Sequence, residues 1–267
     1  MITLVIASPK GGVGKTTVSL NLSYAMAKHG FRVLLVDTDP QGAIGLGISE
    51  KLKAVPGFAE YVTQDVPLER LRVKTKMAGL DLLVLGQIPA QFTTRFGSLL
   101  EDGRAFSKLI AEAKPAYDLM IIDSPCGFNG PTMGAFKAAD YVISPVQAEP
   151  VCVRSIPQLM NVLSFVRKEG APVMMLGFLI SMWQKDHQTS QDIVNELQSR
   201  FPERMLFRTM IPRDNIFMKA SEMGVPLGLL SRRLPPQAFI FEQLAFEIEK
   251  RLQLGQEGDD EPISLLD

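Results

Sequence analysis

The chain is poor in the residues that mark secreted, metal-rich or membrane-embedded proteins. Among 267 residues there are two cysteines, Cys126 and Cys152, and no CxxC pair. No disulfide framework is expected, and the usage fits a reduced, cytosolic compartment. Histidine is as scarce: His29 and His187 stand far apart without clustered cysteines or acids, which argues against a zinc site. His29 falls near a helix end, where partial positive charge is favourable, and His187 at a helix start or on the surface. No apolar run reaches the ~18 residues of a membrane-spanning helix. The N-terminal apolar run, residues 2–7, leads straight into a glycine-rich stretch, so no signal peptide is expected. An excess of charge of one sign is also missing. With 28 Lys and Arg against 29 Asp and Glu the net charge is −1, so nucleic-acid contact would need a local patch.

What is present is an ordinary globular mixture, 46% hydrophobic and 21% charged. Short apolar runs at 2–7, 32–37, 80–86, 117–123, 141–146, 173–180 and 205–211 are continuous rather than alternating, as strands buried on both faces are. Helical spacing falls between them. Ile156, Leu159, Met160, Leu163 and Val166 share one face over 155–168, and Ile193, Val194, Leu197 and Phe201 share another over 187–201. A first helix should run from the glycine-rich stretch to about His29 and stop at Gly30. The last should span 236–254. The alternation predicts an α/β fold: a mostly parallel, twisted sheet of about seven to eight strands with helices on both faces. No repeat or linker divides residues 1–254, which are expected to form a single domain. Residues 255–267, GQEGDDEPISLLD, are acidic without a basic residue and are expected to be a disordered tail. They lack the Lys and Arg of a membrane-surface helix.

The glycine-rich stretch is SPKGGVGKTT, residues 8–17. A strand that ends in such a turn and opens a helix offers backbone N–H groups and the positive end of the helix dipole to an anion. Gly11, Gly12 and Gly14 let the backbone of the loop, Val13 included, wrap a phosphate. Lys15 would reach the β- and γ-phosphates, the Thr16 hydroxyl would bind Mg²⁺, and Thr17 completes the motif. The pattern departs from the common G-x-x-x-x-G-K-[ST] form at its first position, which is Pro9, and adds a second lysine, Lys10. Two apolar strands end in acids. VDTDPQG (36–42) carries Asp37 and Asp39, whose i, i+2 spacing in extended chain would put both carboxylates on one side, where they could hold a metal's water shell and orient an attacking water. LMIIDSP (119–125) has Walker-B form, with Asp123 as a Mg²⁺ contact.

KGGVGKTT, VDTDPQG and IIDSP, in this order, resemble the ParA/MinD family of deviant-Walker ATPases, close to the short, Soj-like ParA type. PVQAEP (145–150) and TMIPRDNIFMKASEMGVPL (209–227) extend the resemblance to about residue 254. The resemblance implies a P-loop NTPase fold, ATP and Mg²⁺ as cofactors, and slow ATP hydrolysis until a partner stimulates it. It also assigns the extra lysine. Lys10 would reach across a homodimer formed on ATP binding to the nucleotide of the other subunit, following the logic of an arginine finger. Lys15 and Thr16 would hold phosphate and metal, Asp39 the attacking water, Asp37 and Asp123 the metal side, and Pro212, Arg213 and Asp214 the adenine.

The short ParA type further implies non-specific binding to double-stranded DNA, a nucleoid-associated cytoplasmic location, no membrane, and a cargo-bound activator protein. The cargo would be a plasmid, a chromosome origin, or a protein cluster or organelle. Candidate DNA contacts are Arg232, Arg233, Lys219 and Arg208, with Lys185, Arg200 and Arg204 also basic in this half; the adjacent pair Arg232 and Arg233 is preferred. One departure stands out. After Asp123 the family usually has two prolines, whereas this chain reads Ser124-Pro125-Cys126-Gly127-Phe128. That spacing resembles the nitrogenase iron protein, in which such a cysteine ligates an iron–sulfur cluster, but the second ligand expected around residues 85–97 is missing. The alternatives are a metabolic or metal-cluster-related ATPase of the same fold without DNA binding, and Cys126 as a small packing residue. Trp183, the single tryptophan, follows the sixth apolar run at the edge where such sheets bind ligands.

Overall fold

The computed structural model describes residues 1–41, 44, 52, 55–92 and 94–254. Its centre is a seven-stranded sheet in the order β3-β4-β2-β5-β1-β6-β7. The strands are β1 (Ile2–Ile6), β2 (Val33–Asp37), β3 (Val73–Lys74), β4 (Leu80–Leu83), β5 (Leu119–Asp123), β6 (Tyr141–Gln147) and β7 (Met174–Ser181). Every pairing is parallel except β3 with β4. β2 and β5 are buried along their whole length, which is why their sequences are unbroken apolar runs.

Helices cover both faces. On one face lie α1 (Lys15–Lys28), α10 (Ile216–Glu222) and α11 (Pro236–Leu252), which share a core of Val18, Leu22, Met26, Phe241, Leu244 and Ile248 with Leu4, Ile6, Leu35 and Ile121 of the sheet. On the other lie α2 (Phe58–Gln64), α3 (Leu68–Leu71), α4 (Phe96–Leu100), α5 (Arg104–Ala113), α6 (Gly130–Ala138), α7 (Pro150–Val153), α8 (Ile156–Lys168) and α9 (Gln188–Arg200). Their core includes Phe58, Phe96, Phe106 and Phe136. Each such fully buried side chain contributes on the order of 1.5–3 kcal/mol.

The predicted strands 2–7, 32–37, 80–86, 117–123, 141–146 and 173–180 fall on β1, β2, β4, β5, β6 and β7. The helices predicted over 155–168, 187–201 and 236–254 fall on α8, α9 and α11. His187 is the residue before α9. α1 ends at Lys28, with Gly30 at φ 95° closing the turn. The expected strand at 205–211 is a correction. Among the described residues this segment makes one isolated bridge, Leu206 to Phe178, and Pro212 just beyond it makes another, to Trp183. The N–H groups of Phe207 and Ile211 donate to Phe178 and Ile180 of β7, but those of Arg208 and Thr209 between them donate to Glu247 on α11, at 2.9 and 3.1 Å, and interrupt the ladder.

α6 escapes any periodicity argument because it is buried almost all round and has no polar face. Gly134 on this helix is required by close approach, since a Cβ there would lie 1.8 Å from the Leu100 carbonyl oxygen of α4. The tail expected at 255–267 lies outside the described residues, as does Gly42. Among the described residues no helix is long and apolar enough to cross a membrane.

α1, the helix that follows the glycine-rich loop, is tied at its far end to α11. His29 lies 2.5 Å from Glu249 through Nδ1 and 2.8 Å from Glu242 through Nε2, with Phe246 against its ring at 4.4 Å. Lys28 adds a 3.0 Å bond to Glu242. Both ring nitrogens of His29 thus lie within hydrogen-bond reach of a carboxylate of α11. His29→Ala is expected to lower stability by about 1–3 kcal/mol, seen as a lower denaturant midpoint with an unchanged slope. A midpoint equal to that of the parent would show that α1 and α11 are held by apolar packing alone.

Candidate functional site

The C-terminal ends of β1, β5 and β2 meet at one edge of the sheet, where ligands of open α/β folds bind. Ile6 is in register with Asp123, and Asp37 is in register with the same residue from the other side. The glycine-rich loop leaves β1 here and enters α1 through Gly14 at φ 88°, with Gly12 at φ 75°. Both are left-handed conformations that favour glycine. From Gly11 through Thr17 no backbone N–H finds an acceptor among the described residues; Val18 is the first to donate, to Gly14. A run of free N–H groups at the positive end of a fourteen-residue helix is a cradle for an anion. Lys15 is buried, 8% exposed, yet forms no ion pair among the described residues.

Below the loop sit two buried carboxylates. Asp123 accepts from the Thr16 hydroxyl at 2.7 Å and from Ser19 at 2.9 Å. Burial pushes its carboxyl up to about 6, against the hydroxyl bonds and the Lys15 charge. Asp37 is pushed up to about 7, first by burial and then by the neighbouring Asp123 charge. The sequence reading did not anticipate the second task of Asp37, which accepts from the N–H groups of Asp39 and Ile44 at 3.1 and 3.0 Å and so fixes the turn after β2. That turn begins at once, because β2 ends at Asp37, so Asp39 is reached through an Asx turn rather than by strand alternation. Asp39 is partly exposed and close enough to raise both buried acids. Ser19 is a member of this cluster that the motif reading missed; its position, one turn beyond Lys15 on α1, is the only sequence signal for it.

A cleft of about 310 Å³ opens beside the loop. It is lined by Val13 and Thr17 on one side, Ser181 and Met182 at the end of β7, and the segment Ile211 to Met218. The three residues expected near a base, Pro212, Arg213 and Asp214, all line it. Ser181 donates to the Val13 carbonyl at 2.9 Å and ties the cleft to the loop. Trp183 does not line the cleft but sets its wall, its N–H donating to Ile211 and its carbonyl accepting from Arg213.

Lys10 is partly exposed on the loop and near α7: burial pushes the Cys152 thiol up, and the Lys10 charge works against that rise. Cys126 is exposed, not packed, and abuts Gly11. Cys152 is buried, and no metal-holding group of His, Cys, Asp or Glu exists among the described residues. Arg232 and Arg233 are exposed in the loop before α11, and Lys219 is exposed on α10. Arg208 stands apart from them, beside Glu247 near the other end of α11, and bonds Glu203 at 2.6 Å.

Comparison with known proteins adds to this geometry. A family model described as an AAA domain matches residues 1–175. The chromosome partitioning protein ParA of Caulobacter vibrioides (strain NA1000 / CB15N) is 31% identical over 93% of this chain and 94% of its own length. The chromosome-partitioning ATPase Soj of Thermus thermophilus is 33% identical over 94% of this chain and 96% of its own length. Among solved structures, cobyrinic acid a,c-diamide synthase from Mycobacterium smegmatis, with bound ATP analogue and magnesium, is 26% identical with a TM-score of 0.79, covering 96% of this chain and 97% of that one. Apo McdA from Cyanothece has the same fold, with a TM-score of 0.78 at 22% identity over 93% of this chain and 99% of that one.

The two buried acids give the stability a definite pH dependence. Each has a folded value above its ordinary one, so the folded state binds more protons than the unfolded state and stability falls as pH rises from about 4 through about 6–7. Asp123→Asn removes one of these charges and can keep its bonds, accepting from Thr16 and donating to Ser19. The variant without nucleotide is expected to exceed the parent by on the order of 2 kcal/mol at pH 8, and to match it near pH 4. Thermal unfolding across that range measures this; an Asn variant less stable than the parent at pH 8 would show that the carboxylate is favourable where it lies.

Proposed function

This chain belongs to the ParA/MinD family of AAA-domain ATPases, and from that premise we propose that it is a ParA-type ATPase that pairs around two ATP molecules, binds DNA without sequence preference and positions or segregates a cargo. The observation that carries this reading is the single edge that gathers N–H groups from Gly11 to Thr17 and the buried Lys15, all without partners among the described residues, with the buried pair Asp37 and Asp123. These residues fit Mg·ATP. The free N–H groups and Lys15 would take the phosphates, Thr16 and Asp123 with Asp37 behind them would hold the magnesium ion, and Pro212, Arg213 and Asp214 would border the base. When bound, the ion supplies charge neutralisation on the phosphates. A dication bound there would relieve the repulsion between the two carboxylates.

Asp39 lies just beyond the buried pair and would orient the attacking water. Lys10, on the exposed rim of the loop, would face a second copy and stabilise the phosphate charge of that copy's nucleotide. ATP would then be part of the contact between subunits, and hydrolysis would loosen it. Lys10→Ala should bind ATP with little change while losing the ATP-dependent dimer, as read by light scattering; a dimer that persists would remove the lysine from this role.

The exposed pair Arg232 and Arg233, with Lys219, would meet DNA phosphates; Arg208, already paired with Glu203, would contribute less. A cargo-bound activator protein would stimulate hydrolysis, and the protein would work on the nucleoid in the cytoplasm. The relatives named for chromosome partitioning support this reading over a metabolic one. The test uses the Asp39→Ala protein, which should hold ATP in the dimer, with random-sequence duplex DNA across a salt series. Binding with ATP but not ADP, weakened steeply by salt, is the expected result. Dimers that form with ATP yet bind no DNA would shift the function to a small-molecule ATPase of the kind exemplified by the amide-forming synthase.

A further inference from the structure

We propose that residues 255–267 dock in cis on a basic, methionine-lined groove between α8 and the edge strand β7, on the face of the sheet opposite α11. The groove measures about 360 Å³ and is formed by Met160, Leu163, Ser164, Arg167, Lys168 and Met175. Of these, Leu163 is buried while Met160 and Met175 are left half-buried. Its rim is cationic. Arg167 and Lys168 are exposed and form no ion pair among the described residues, and the nearby Glu169 is engaged by Lys137 at 3.6 Å. A surface with an apolar floor and a positive rim calls for a partner with acids beside aliphatic side chains.

Residues 255–267 have that composition. Glu257, Asp259, Asp260 and Glu261 come first, followed by Ile263, Leu265 and Leu266, and no basic residue interrupts them. The point from which they depart is fixed against the same edge strand. Gln253, at φ 53°, ends α11, and Leu254 closes the turn onto Glu249. One turn earlier, Arg251 donates to the Leu176 carbonyl of β7 at 2.8 Å and stacks on Phe207 at 4.1 Å. Leu176 is the chain neighbour of Met175 in the groove. β7 is the last strand of the sheet, so the chain that leaves α11 needs to pass around a single edge strand to reach the groove on the other face. From Leu254 to Ile263 an extended chain reaches about 30 Å, several strand widths. Docking would put the acids beside Arg167 and Lys168 and cover the methionines with Ile263 and the leucines. Methionine suits such a contact because it adapts its shape to the side chain that arrives.

The test follows the methyl resonances of ¹³C-methyl methionine in the full chain, in a chain ending at Leu254, and in an Ile263→Asp, Leu265→Asp, Leu266→Asp variant. The expected result is that Met160 and Met175 occupy shifted positions in the full chain and return to the positions of the shortened chain in the variant. Buried Met26 should stay fixed throughout as the control for folding. The shift should shrink with added salt, and Arg167→Glu with Lys168→Glu should reduce it. Superimposed Met160 and Met175 signals in the full and shortened chains would overturn the proposal. A shift that vanishes on dilution would also overturn it, by assigning the groove to a second copy of the chain.

Discussion

The arrangement of the site depends on one register: Asp37 at the end of β2 is paired directly with Asp123 at the end of β5. Parallel strands in the middle of a sheet are buried on both faces, so two acids at their ends are drawn out of water together. Burial alone raises both, and their mutual repulsion raises Asp37 further. Protein bonds relieve the strain only in part: Thr16 and Ser19 donate to Asp123, and two backbone N–H groups donate to Asp37. What remains is a local excess of negative charge directly under a loop rich in free N–H groups and a buried ammonium. Such a site is less stable empty than a neutral one would be, a common feature of binding sites.

The loop and the acids are joined through α1. Lys15, Thr16 and Ser19 lie on its first turns, so the helix that presents N–H groups to an anion also donates the hydroxyls that steady Asp123. At its far end the same helix is anchored on α11 by His29. α11 in turn carries Glu247, which takes the N–H groups of Arg208 and Thr209 and interrupts the ladder of the 205–211 segment with β7. The following residues, Ile211 to Met218, form the wall of the cleft, held at the end of β7 by the bonds of Ile211 to Ile180 and Trp183.

Much of the site was legible because its chemistry is local. A glycine-rich turn between a strand and a helix is readable from adjacent residues, and so is an apolar run that stops at an acid. The features that were missed depend on partners far away in sequence. Residues 205–211 are apolar enough for a strand, yet the N–H groups of Arg208 and Thr209 in their middle go to Glu247, 38 residues on from Thr209. α6 has no polar face because both of its sides are covered, so no periodicity marks it. Ser181 and Met182 carry no motif, and they belong to the cleft only because β7 ends beside the loop.

The sequence by itself determined the strand-loop-helix unit at residues 2–28, the acidic strand ends, the alternation that demands a parallel sheet, and the family to which these motifs belong. Each follows from backbone conformation or side-chain period over a few residues. Tertiary structure alone decided that Asp37 and Asp123 share a register and titrate high. It also set Arg208 apart from Arg232 and Arg233 by placing acids against it, and left a basic methionine groove open at the sheet edge. The reason is physical: burial, pairing and charge repulsion are properties of neighbours in space, and those neighbours are set by how β2, β5, β7 and α11 come together.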